Sequence, residues 1–447
     1  MALTPGPRAA IDFLTRPGNP LRGSLRVPGD KSISHRALML GAIAEGDTRV
    51  SGFLAGEDTH ATLAALAQMG VRVERPEATQ LTVHGAGLHG LRAPALPLDL
   101  GNSGTSARLF AGLLAGQHFD SELTGDASLS RRPMRRVVDP LSAMGARISC
   151  SAAGTLPISI RGGAHLAGME HELPVASAQL KSALLLAGLY ADGATCVREP
   201  AVTRDHTERM LEYFGCPVHY RDGLICVSPH PLLGRHVQVP GDLSSAAFFM
   251  VAATVVPGSD LLLEGVGVNP TRSAAIEILR SMGADIEVSG RPLHAVEPVA
   301  DIRVRHHRLR GIAIPEDRVS IAIDEFPILM IAAAFAEGVT RVSGAAELRV
   351  KESDRIAAMA EGLRAIGIRS EPSADGLTVH GGAPSGGVVD SRGDHRIAMS
   401  FAVAGLAAAG PVEATDCLNV DTSFPGFPAA LRSVGGAIEV HAESQDG

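Results

Sequence analysis

Six times along the chain a short polar, glycine-containing turn opens into an apolar run. A one-sided helical pattern follows each run and stops at a glycine. The fourth occurrence is the clearest. Asp242 and Ser244 are good N-cap residues, Leu243 to Val256 is apolar almost throughout, and Pro257-Gly258 ends the run. Leu261 to Leu263 reads as a strand. Thr271 to Met282 reads as an amphipathic helix with Ala275, Ile278, Leu279 and Met282 on one side. Gly283 supplies a left-handed C-terminal stop before the alternating segment Ala284 to Val288. A helix without a polar face, such as Ala183 to Ala187 or Ile328 to Phe335, belongs inside, with sheets around it.

The openings centre on Asp30, Asn102, Ser177, Asp242, Asp324 and Asp394. The closing glycines are Gly70, Gly145, Gly215, Gly283, Gly367 and Gly435, which follow after 40, 43, 38, 41, 43 and 41 residues. So constant an internal distance marks a duplicated unit of helix–strand–helix–strand. Val-Pro-Gly-Asp occurs at Val27–Asp30 and again at Val239–Asp242, which splits the six units into two sets of three. The expectation is an α/β protein of two domains, residues 26–239 and residues 1–25 with 240–447, hinged at those two tetrapeptides. With the apolar helices inside, the usual α/β barrel is turned inside out.

Composition narrows the function. The 447 residues carry a net charge of −8, aromatics are 3% and Trp is absent. That disfavours nucleic acid, which needs basic surface or stacking platforms. The longest apolar runs are about 12 residues, short of the ~20 that span a bilayer, and the N-terminal segment lacks a secretory pattern. Five cysteines (150, 196, 216, 226, 417) form no CxxC and are expected as reduced, mostly buried thiols of a cytoplasmic protein. No residue set has zinc spacing.

Against this acidic background, cations gather at the unit openings. Lys31-Ser32-Ile33-Ser34-His35-Arg36 follows a glycine turn into a helix start, which suits an anion or equally a solvated basic helix end. Gly101-Asn102-Ser103-Gly104-Thr105 leaves room for close backbone approach, and Arg131 to Arg136 holds four arginines in six residues. Ser177-Ala178-Gln179 opens the third apolar helix. Arg349 to Arg355, placed on one helix, would set Lys351 and Arg355 on a shared face with Glu352 beside them. Arg396 follows Asp394-His395. Counting each opening with the segment just after it, only the fourth carries no cation, so it reads as chiefly structural. Cations repeated at equivalent turns suit small, multiply anionic ligands, and Asp324 and Glu352 add groups capable of proton transfer.

These motifs, in order from about residue 20 to Phe427, resemble the 5-enolpyruvylshikimate-3-phosphate (EPSP) synthase family, whose fold is a six-unit, two-domain inside-out α/β barrel. The resemblance implies addition of the 5-hydroxyl of shikimate-3-phosphate to C2 of phosphoenolpyruvate, with loss of phosphate. It implies no metal or organic cofactor. By motif position, Lys31, Ser32, Arg36, Ser177, Ala178, Gln179, Arg204, Asp324 and Lys351 would hold shikimate-3-phosphate. Lys31, Gly104, Arg132, Gln179, Arg355 and Arg396 would hold phosphoenolpyruvate. Asp324, Glu352 and Lys31 would be catalytic, in a cytoplasmic monomer that admits glyphosate as an inhibitor. Thr422 replaces a Lys common in the family and Arg204 a Tyr, as in a divergent bacterial subclass, while Gly104 is retained. Rival readings are a carboxyvinyl transferase on UDP-N-acetylglucosamine, expected to carry a Cys that Thr124 to Pro133 lacks, and a non-catalytic phosphosugar-binding repeat protein.

Overall fold

The structure is a computed structural model and describes residues 11–290 and 296–442, so residues 1–10 of the expected second domain lie outside the described residues. The six units produce twelve helices among them: α1 (Lys31–Ile43), α2 (Glu57–Gln68), α3 (Gly104–Ala115), α4 (Arg135–Ala143), α5 (Ala178–Gly188), α6 (His206–Tyr213), α7 (Leu243–Val255), α8 (Ala274–Ser281), α9 (Phe326–Ala334), α10 (Arg355–Ala365), α11 (His395–Gly405) and α12 (Phe427–Ser433). Every residue of α7 and α9 is buried, as their unbroken apolar character requires. By contrast α4 buries only Val137, Val138 and Leu141. All six closing glycines have φ between 79° and 103°, a region that L side chains avoid.

Among the described residues six small sheets surround the buried helices, five of four strands and one of three. Two parallel pairings close the architecture on itself. His236–Gln238 returns to pair with Glu45–Ser51 in the first half, and Arg22–Leu25 pairs with Asp260–Gly267 in the second. Ile11–Thr15 lies between Val412–Thr415 and Ile438–Ala442, which ties the start of the described chain to its end. Apolar burial divides accordingly. One core draws on residues 33–239, the other on 13–27 and 243–438. The chain crosses between them twice, and the crossings lie side by side: Asp30 N–H donates to Pro240 O and Asp242 N–H to Pro28 O, both at 2.8 Å. Gly29 is required there, because a Cβ would sit 1.9 Å from Gly52 O. No helix among the described residues is long and apolar enough to cross a membrane.

Three expectations are corrected. Cys196 and Cys226 form a disulfide, because two antiparallel strands of one sheet place them directly opposite each other across 30 residues of sequence. Thr271 is not helical. Asn269 Oδ1 accepts from Thr271 N–H at 2.9 Å, an Asx turn that delays α8 to Ala274. Lys351 and Arg355 do not share a helix either. A 3₁₀ turn over Ala346–Val350 breaks off, and Asp354 caps α10 by accepting from Ala357 N–H at 3.0 Å, so Arg355 is its first residue.

Candidate functional site

Five of the six odd-numbered helices, all but α9, start with side-chain caps for their free N–H groups. Asp30, Ser103, Ser177, Asp242 and Asp394 each accept from a backbone N–H two or three residues on. The first turns of α1, α3, α5 and α11, with the segments before α4, α6, α8, α9 and α10, line a polar cavity of about 90 Å³ between the two halves. Lys31, Ser32, Arg36, Arg132, Ala178, Gln179 and Arg204 line it from the first half, and Asp324, Lys351, Glu352 and Arg396 from the second. Gly104, Ser177 and Arg355 stand just behind the wall. A Cβ on Gly104 would fall 2.9 Å from both Arg108 Nη1 and Arg132 Nη1. Ser177 caps α5 by accepting from Leu180 N–H at 3.3 Å. Arg355 is 1% exposed and is gripped by Asp394, Nε to Oδ2 at 2.8 Å.

Asp324 and Glu352 sit among these cations. Asp324 Oδ2 accepts from Arg204 Nη2 at 2.5 Å, while its Oδ1 lies 3.4 Å from Lys351 Nζ and 3.5 Å from Arg355 Nη1. Arg396 Nη1 donates to Asp324 O at 3.0 Å. Glu352 pairs with Arg355 Nη2 at 2.6 Å and with Arg132 Nη1 at 3.4 Å. Lys31 Nζ pairs with Asp58 at 3.0 Å. Burial by itself would raise both acids. Lys351, Arg204, Arg396 and Arg355 override it for Asp324, and Arg355, Arg132 and Lys31 for Glu352, so both carboxyls fall well below the ordinary range. Both are ionised while they serve as the counterions of an otherwise cationic cleft.

Sequence reasoning missed several neighbours. Arg108 donates to Gln179 Oε1 at 2.6 Å and is pushed down to about 9 by burial, with repulsion from Arg136 and Arg132 added. Gln179 in turn donates to Thr105 Oγ1 at 3.0 Å, so its amide is oriented by α3. Asn102 accepts from Arg132 Nη2 at 2.5 Å. His395 lines the cavity with its Nε2 buried, and burial followed by repulsion from Lys31 and Arg396 keeps the ring neutral. The fourth unit does supply a cation. Arg272, from the turn before α8, pairs with Asp242 at 2.7 Å and with Asp30 at 3.3 Å, under both crossings. The regular place of each unit's second helix start was the available signal, since Arg132, Arg204, Arg272 and Arg355 all precede or open such helices.

A larger cavity, about 790 Å³, lies on the opposite side of the crossings, lined by Val27 to Gly29, Val239 to Gly241 and apolar residues such as Phe53 and Phe424. None of the candidate residues faces it. The chemistry-bearing groups belong to the smaller space, where ionic side chains from both halves fill the volume.

Comparison with known proteins agrees with this geometry. Residues 15–431 match the model of the EPSP synthase (3-phosphoshikimate 1-carboxyvinyltransferase) family. The 3-phosphoshikimate 1-carboxyvinyltransferase of Methylococcus capsulatus is 60% identical over 96% of this chain and 99% of its own length. That of Halorhodospira halophila is 61% identical over 95% and 96%. Among solved structures, EPSP synthase from Acinetobacter baumannii superposes with a TM-score of 0.86 at 52% identity, covering 96% of this chain and all of that one. The enolpyruvyl transferase NikO from Streptomyces tendae, 17% identical, shares the fold with a TM-score of 0.78 over 98% of this chain and all of its own.

Proposed function

The chain belongs to the EPSP synthase family and is a 3-phosphoshikimate 1-carboxyvinyltransferase; we propose that the cleft between its halves performs the transfer with the residues assembled there. The observation that carries the residue-level reading is the pairing of two buried carboxylates with a surplus of guanidinium and ammonium groups. Shikimate-3-phosphate would lie against Lys31, Ser32, Arg36, Ser177, Ala178, Gln179, Arg204 and Lys351. Phosphoenolpyruvate would take Lys31, Arg132, Gln179, Arg355 and Arg396, with glyphosate competing on that side near Gly104. We place residues 26–239 in one closing body and 1–25 with 240–447 in the other, in a monomeric cytoplasmic enzyme. Closure excludes water and aligns the two anions.

In this reading the ligands themselves prime the acid and the base. Their phosphate and carboxylate oxygens engage the cations that hold Asp324 and Glu352 ionised, so burial gains weight and both carboxyls move up. Asp324 takes the proton of the 5-hydroxyl as its oxygen bonds to C2 of phosphoenolpyruvate. Glu352, which takes up a solvent proton as its carboxyl moves up on ligand binding, delivers that proton to the methylene carbon, giving a methyl group in the tetrahedral adduct. When phosphate leaves, that methyl group returns a proton to Glu352 and the vinyl group is restored. Lys31 lies at the junction of the two ligands and balances charge on the departing phosphate.

Phosphate release with both substrates tests the assignment. Asp324→Asn and Glu352→Gln should each lower kcat by roughly 10²–10⁴. Near-wild-type turnover with unchanged substrate affinity would remove these residues from the acid and base roles. UDP-N-acetylglucosamine in place of shikimate-3-phosphate should release no phosphate.

A further inference from the structure

Beneath the cleft floor of the first half lies a charge cluster that the mechanism does not use. Lys181, on α5, is 1% exposed, and its Nζ contacts Glu208 of α6 at 2.6 Å and Glu199 at 2.8 Å. Glu208 is fully buried. Two acids and one base leave this cluster with an uncompensated negative charge inside the protein, an arrangement that packing alone does not favour.

Its neighbours explain the arrangement. Ser182 follows Lys181 on α5, and Thr207 precedes Glu208 on α6. These two hydroxyls hold the guanidinium of Arg36, with Nε donating to Thr207 Oγ1 at 2.6 Å and Nη2 to Ser182 Oγ at 2.7 Å. Each helix therefore offers a hydroxyl to Arg36 at one position and a charge to the cluster at the adjacent one. The ion pair fixes the spacing of the two helices that grip Arg36. The second acid reaches the other guanidinium of this wall. Thr203 donates to Glu199 in a very short hydrogen bond, and Thr203 is bonded directly to Arg204 in the chain.

We propose that Lys181, Glu199 and Glu208 are positioning residues for the phosphorylated substrate. They set Arg36 through α5 and α6 and Arg204 through its loop. The inference rests on the reading of Arg36 and Arg204 as shikimate-3-phosphate ligands. The electrostatics agree: burial lowers Arg36 to about 10, and Glu208 leads the groups that resist this, ahead of Asp30 and Glu297, while Arg204 opposes them.

The test measures binding of shikimate-3-phosphate by calorimetry and KM for each substrate, in wild type, Glu208→Gln, Lys181→Met and Thr203→Val. Glu208→Gln and Lys181→Met should weaken shikimate-3-phosphate binding by roughly tenfold or more, on the scale of a sub-ångström displacement of a ligand group. KM for phosphoenolpyruvate should change far less. Thr203→Val, which loosens only the Arg204 arm, should show a smaller shift of the same kind. A lowered Tm with unchanged shikimate-3-phosphate affinity would overturn the proposal. Arg36→Ala separates the two layers. If it too leaves affinity intact, the ligand assignment itself is wrong; if it abolishes binding while Glu208→Gln does not, only the positioning role falls.

Discussion

Replacing Arg272 by Met should destabilise the protein in a way that depends on pH. Arg272 is 4% exposed and serves three acids at once: Asp30 at 3.3 Å, Asp242 at 2.7 Å and Glu325 at 3.6 Å. It also donates to Ser244 Oγ at 2.8 Å. Asp30 and Asp242 follow the two crossings, so one guanidinium neutralises the carboxylates beside both. Removing one partner of such a buried network costs about 3–5 kcal/mol, because the remaining charges stay buried. With ~2.1 cal/mol/K of unfolding entropy per residue, a chain of 447 residues melting as one unit loses only about 3–5 °C. The shift roughly doubles if the halves melt separately. The sign of the pH dependence follows from Asp30. Burial pushes its carboxyl up, but Arg272, then His206 and the Ile33 N–H, bring it down from 3.8 to about 2. That depression contributes stability present above pH 3.8 and lost as pH falls through about 2. In the variant Asp30, still buried but without its guanidinium, shifts upward instead and protonates first, so the gap in Tm should be full at pH 7 and narrow as pH falls toward 3. Differential scanning calorimetry at pH 7, 5 and 3 measures it. A gap below about 1 °C at pH 7, or one that is the same at pH 7 and pH 3, would refute the reasoning.

Gly104→Ala places a methyl group 2.9 Å from Arg108 Nη1 and Arg132 Nη1, so both guanidiniums must shift by several tenths of an ångström. KM for phosphoenolpyruvate should rise about threefold to tenfold and glyphosate inhibition should weaken; equal glyphosate inhibition constants in the two proteins would contradict this. Arg136 and Glu347 approach at 2.8 Å from opposite halves without lining the cleft. A double-mutant cycle should return a coupling of about 1 kcal/mol in the stability of the substrate-bound form, and a value near zero would show that the pair does not clasp the halves together.

Much of this protein is written in local pattern. Apolar runs without a polar face had to be buried helices, and glycines at constant spacing had to end the second helices, because backbone sterics and burial act over a few residues. The caps Asp30, Ser177, Asp242 and Asp394, and the cation-rich turns around them, are legible for the same reason. The sequence shows less well where a side chain's partner is distant. Nothing near Cys196 announces Cys226, and nothing near Arg272 announces Asp30. Lys181 is the one charged residue of an apolar helix, and only the packing of α6 against it supplies Glu208. Local charge also misled at Arg349 to Arg355, where Asp354 prefers to cap a helix over continuing one.

The sequence by itself determined the six units, their two sets of three, the helix starts and the chemistry gathered there. Only the tertiary structure decided which charges face one another. Pairing Asp324 with Arg204, or Glu352 with Arg132, spans 120 and 220 residues. Such contacts form when two separately buried cores meet, and their energy depends on distance and burial that no local pattern encodes.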